Sequence, residues 1–124
     1  LNIFIIILLF FITTISISGY YLTQKQVKSI NSYLNHLQEN IEESEWQKSE
    51  KINNNLQKKW TTTRKIFGLI IDHEALHDLE MSLARLESNL VLKKKEKCIL
   101  EIHLSHKLLE DIIQQEKLSL ENIF

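Results

Sequence analysis

The residues HEALH at positions 73–77 are the one place where this chain carries the residue types and spacing of a known chemistry. In an H-E-x-x-H helix, two histidines one turn apart hold a zinc ion and the glutamate beside them activates a water for hydrolysis. Here His73 and His77 would be the ligands and Glu74 the base. That chemistry also needs a third ligand and usually a strand that aligns the substrate. Glu87, Glu101, His103 or His106 could supply the ligand, but HDLEMSLAR after the motif lacks the metzincin continuation, and no strand-like run exists outside the N-terminal segment. A helix start explains the same letters more economically, with Asp72 as cap and Glu74 in the first turn. A four-histidine site joining His73 and His77 to His103 and His106 fails on register: for a turn centred near Lys94 the pairs miss by roughly 6 Å, one helical turn. The histidines are therefore expected to be structural or surface residues, with no metal and no other cofactor. A metal-dependent hydrolase, a zinc peptidase, is the alternative.

The elements that would carry such a site must be helices. Among 124 residues there is no proline and there are only two glycines, too few for the turns of a sheet. Fifteen basic and 16 acidic residues leave a net charge of -1, which gives no electrostatic footprint for nucleic acid. Cys98, the single cysteine, rules out an internal disulfide framework and is expected to pack as a small hydrophobe.

Residues 3–22, IFIIILLFFITTISISGYYL, carry no charge, and a helix of that length crosses a bilayer core of about 30 Å. Tyr20 and Tyr21 fall where an interfacial aromatic belt belongs, followed by Lys25 and Lys28. The segment 1–22 is thus expected to be a single-pass anchor in contact with membrane lipid, and 23–124 a soluble domain. The competing reading is a signal peptide cleaved after Ser16-Ile17-Ser18. Read literally, the two lysines place the domain in the cytoplasm; basic residues ahead of Leu1 would reverse that, and an extracytoplasmic domain is expected.

Four stripes of residues at alternating spacings of three and four follow. They are Val27, Ile30, Leu34, Leu37, Ile41; then Trp46, Leu56, Trp60, Phe67, Ile70 with Ser49, Asn53 and Thr63 between; then Leu76, Leu79, Leu83, Leu86, Leu90; then Cys98, Ile102, Ser105, Leu109, Ile112. Ser44 with Gln47 fits a capping box for the second helix, KKKEK at 93–97 a solvated turn, and Gly68 a bend. The expected fold is all-α, antiparallel helical hairpins stacked in a tetratricopeptide-like manner rather than a symmetric four-helix bundle. Trp46, Trp60 and Phe67 are candidates for core or interface.

Glu45-Trp46, the second Trp60, KIFGLIIDHEALHDLEMSLARL at 65–86 and EKLSLENIF at 116–124 together resemble a family of small single-pass bacterial membrane proteins from spore-forming Gram-positive anaerobes, a numbered domain of unknown function. The resemblance covers essentially the whole chain. It implies a helical-hairpin fold and an anchored extracytoplasmic domain, supplies no activity, and does not tie His77 to a metal. The reading is a membrane-anchored helical module that binds an unknown protein partner without catalysis. A self-associating structural protein is a further alternative.

Overall fold

Stripes of apolar residues on four amphipathic helices leave water only by facing one another, and a ring of four helices does this with short connections. A computed structural model describes residues 2–123. It contains α1 (Ile3–Glu42), α2 (Trp46–Ile70), α3 (His73–Val91) and α4 (Lys95–Ile123), with no strand among the described residues. Leu1 and Phe124, the outer ends of the two expected segments and of the ENIF terminus, lie outside them. α1 packs on α2 and α4, α3 packs on α2 and α4, and neither diagonal pair makes a close backbone approach. A tetratricopeptide-like stack would lay α3 against α1 instead. The helices close into an up-down-up-down bundle because α4, at 29 residues, runs back along α1 and buries the flank that α2 leaves open.

The core is the four expected stripes. Every residue of the first, third and fourth is buried; of the second, Ser49, Asn53, Leu56, Trp60, Thr63 and Phe67 are buried, while Trp46 and Ile70 are half-buried at its ends. Trp60 and Phe67 meet edge to face with ring centroids 6.2 Å apart, a favoured aromatic geometry. Cys98 is fully buried among them, and burial raises its thiol pKa.

The two distal turns are built alike, and differently from expectation. Ser44 is not the cap of α2; it ends α1 in the left-handed region, with φ 57°. The Glu45 amide donates to the Asn40 carbonyl and the Ser44 amide to that of Ile41, both at 2.9 Å, which is a Schellman motif. Glu45 takes the N-cap position without a side-chain bond, so no Ser44–Gln47 box forms. Lys93, φ 53°, repeats the motif between α3 and α4, with Lys94 donating to Asn89 and Lys93 to Leu90. The KKKEK run is therefore only partly a wet loop: Lys95 Nζ donates to the Glu42 carbonyl and to Ser44 Oγ, tying one distal turn to the other. At the opposite end Asp72 is the N-cap of α3, as expected, although its side chain makes no capping bond.

α1 crosses residues 22 and 23 as one unbroken helix whose first buried residue is Thr23. Gly68 lies within α2 and marks no break, and a Cβ there would meet nothing within 4 Å. Glycine thus sits where the backbone does not need it, and the two left-handed positions lack it. Gly68→Ala and Lys93→Gly should each raise stability by about 0.5–1 kcal/mol, read as a higher urea midpoint in detergent.

Candidate functional site

The residues of the HEALH stretch lie side by side at the exposed start of α3. His73, Glu74 and His77 are all exposed on the first two turns of α3. Glu74 lines a shallow cleft with Asp72, Asp78 and Asp111, and neither histidine borders it. The α3–α4 seam is in register through Ser82 and Ser105, whose oxygens lie 2.9 Å apart, so His77 falls opposite residue 110 and His106 opposite residue 81. Among the described residues, no group of three or more His, Cys, Asp or Glu side chains gathers at metal-binding distance.

His106 has a different partner. Its Nδ1–H donates to Asn31 Oδ1 at 2.6 Å across the α1–α4 seam. Burial lowers its pKa, and the neighbouring His103 lowers it further, since a charged imidazole there would lose water and face a second one.

This bond belongs to a set of polar cross-links that reaches every seam of the ring. Between α1 and α2, Thr63 Oγ1 donates to Gln26 Oε1 at 2.9 Å, fully buried. Between α2 and α3, Arg64 Nε meets Glu80 Oε1 at 2.7 Å on the surface. Between α3 and α4, Ser82 donates to Glu101 Oε2 at 2.9 Å and accepts from Ser105, while Arg85 Nε holds the other oxygen of Glu101 at 2.8 Å. The buried and half-buried bonds are satisfied in one alignment of their helix pairs, which is how buried polar groups specify register; the solvated Arg64–Glu80 pair adds no such constraint. Thr23 is the exception, a buried hydroxyl with no partner. Ser105 lay in a stripe read from the sequence, and Thr63 filled a gap in one. Gln26, Asn31 and Ser82 were missed because a polar residue gives no periodic signal, and their partners lie at least 19 residues away.

Of the aromatic candidates, Trp60 and Phe67 belong to the core. Trp46 is half-buried and walls a groove of about 410 Å³ at the distal end of the α2–α3 seam, with Asn53, Asn54, Glu87, Leu90 and Val91. That seam is the most loosely packed of the four. Val91 and Leu92 stand exposed beside it.

Fold and surface together describe an all-helical bundle that includes a long apolar helix at its N-terminal end, with no group of three or more metal-ligating side chains among the described residues. The chain belongs to the DUF4363 family, a domain of unknown function, whose pattern matches residues 17–123. Comparison with curated proteins and with solved structures gives no match.

Trp60→Ala should lower stability by about 3 kcal/mol or more, as for a buried aromatic, and His77→Ala by under about 1 kcal/mol. Equal losses in chemical unfolding would misplace the core. A second expectation concerns pH. Folding lowers the His106 pKa, so as pH falls below the usual value of 6.5 the unfolded chain takes up the proton more readily than the folded one. The stability this provides is present above that pH and is lost as pH falls below it. The unfolding midpoint of the wild type should therefore drop more steeply between pH 7 and pH 5, about the imidazole range, than that of His106→Gln.

Proposed function

We propose that this protein is a single-pass membrane protein whose helical bundle, outside the cytoplasm, presents a face to another protein and catalyses no reaction. The observation that carries the membrane part is the state of residues 3–12. All ten are large and apolar and none is less than 45% exposed, so the bundle covers none of this surface. A contiguous apolar patch of that size is not left in water by a soluble protein. A core helix would have been buried, whereas this one projects from the ring; lipid is the solvent that matches it. A cleaved signal sequence would also be apolar, but Ile15 and Ser16, which cleavage after Ser18 would remove, line a concavity with the ends of α2 and α4.

The partner-binding face is the groove beside Trp46. It combines a half-buried indole and exposed Val91 and Leu92 with polar groups at the end of the bundle farthest from the membrane segment, the mixture that protein interfaces favour. Self-association is the runner-up, since the same groove could take a second copy. The extracytoplasmic placement rests on the family resemblance and on Ser16-Ile17-Ser18, against the two following lysines.

The test uses cells expressing the full chain. The protein should resist alkaline extraction from membranes, protease added to intact protoplasts should digest the bundle, and a photo-crosslinker at Asn54 should give a discrete adduct with another protein. Release at alkaline pH would remove the anchor reading, and protection until the membrane is opened would place the bundle in the cytoplasm. An adduct of twice the chain's mass would favour self-association.

A further inference from the structure

Two seam bonds fix how far the bundle reaches down α1. Thr63 is bonded to Gln26, so Leu69, six residues further along α2, lies level with Tyr20, six residues back along α1. His106 is bonded to Asn31, so Leu118, twelve residues along α4, lies level with Gly19. The ends of α2 and α4 thus overlap the apolar segment 3–22 instead of stopping above it. A concavity of about 260 Å³ records the overlap directly: its lining includes Ile15 and Gly19 from α1, Leu69 from α2, and Glu116, Ser119 and Leu120 from α4.

Large apolar side chains point outward at this level, beside charged ones. Leu69 is 89% exposed, the highest value of any large hydrophobic residue described, and Tyr21 is 64% and Leu118 58% exposed. Together with Leu22 they form a collar around α1 at the base of the bundle. Single exposed leucines are ordinary on a soluble protein, but these occur at one level, beside the segment read as crossing the membrane. The same collar carries exposed Lys117 and Glu121 and half-buried Glu116, whose carboxyl pKa burial raises. Charged groups at that spacing do not suit the hydrocarbon centre, whereas long side chains beside leucines and tyrosines suit the headgroup and glycerol layer.

We infer that the base of the bundle, through Leu69, Leu118, Tyr21 and Leu22, is seated in the lipid headgroup layer of the bilayer that α1 crosses. This rests on reading residues 3–22 as membrane-spanning. Helix continuity supplies the occupant: α1 brings the collar to the membrane surface, where lipid is the surrounding phase. Seating at points on two further helices restrains the tilt and the rotation of the bundle, which a single helix leaves free.

Full-length chain in vesicles of phosphatidylcholine and phosphatidylglycerol tests it. In a Cys98→Ala background, an environment-sensitive fluorophore is attached to Leu69→Cys, Leu118→Cys, Leu8→Cys or Lys48→Cys, and quenched by lipids carrying a nitroxide on the headgroup or deep in the acyl chain. The labels at 69 and 118 should be quenched several-fold more by the headgroup nitroxide than the label at 48, and the label at 8 mainly by the acyl-chain nitroxide. Quenching at 8 with none at 69 and 118 above the level at 48 would overturn the seating and leave the anchor standing. No quenching at 8 would overturn the anchor, and the seating with it. A Leu69→Cys disulfide between two chains in the vesicles, without lipid quenching, would assign the collar to a second copy and overturn the proposal.

Discussion

α1 is one unbroken helix of 40 residues, about 60 Å long, and the rest of the molecule is arranged by that continuity. Its upper part carries the stripe that α2 and α4 cover; its lower part carries apolar residues that nothing in the chain covers. No proline or left-handed residue interrupts the passage from one to the other, and Gly19 retains helical geometry. The bundle therefore has no linker to swivel on. Wherever the lower part of α1 is held, the orientation of the other three helices is set, and α3, whose backbone does not closely approach that of α1, follows through α2 and α4.

Apolar stripes hold the ring closed but do not by themselves fix how each helix slides along its neighbour. Leucines on one face can interdigitate at more than one offset, and the loss on slipping by a turn is small when similar residues recur. The polar cross-links remove that freedom. Gln26 with Thr63, Asn31 with His106 and the Ser82–Ser105–Glu101 set each leave buried or half-buried groups unpaired in any other register. At the distal end Lys95 bridges the two Schellman turns and adds a further constraint where the helices begin and end. Such groups add little net stability and much specificity, which accounts for Gln26, Thr63, Ser82 and Ser105, four of the seven buried polar side chains among the described residues.

Residue spacing made the helices and nearly the whole core legible, because apolar periodicity reports burial directly. Closure of the ring was not legible: a stripe says that a face is covered and not by which helix, so a stack and a ring look alike until α4 is seen to return along α1. The capping signals were less reliable. Ser44 and Gln47 have the composition of a capping box, yet Ser44 is drawn into the left-handed end of α1 because the Schellman bonds from Ser44 and Glu45 satisfy two carbonyls at once. HEALH shows the same limit for chemistry. Five residues can match a zinc motif without converging on one point: among the described residues no three metal-ligating side chains gather there, and the cleft beside Glu74 borders neither His73 nor His77. The apolar N-terminal segment and the first bundle helix were read as separate segments, since hydropathy changes at residue 22 while helical geometry does not.

Amide hydrogen exchange along α1 in lipid nanodiscs tests the continuity most directly. Slow exchange running without interruption from Thr14 through Lys28 is the expected result, since every amide in that stretch is within one helix. A rapidly exchanging segment between Ser18 and Leu22, flanked by protected residues on both sides, would show a hinge there and contradict a bundle oriented by an unbroken membrane helix.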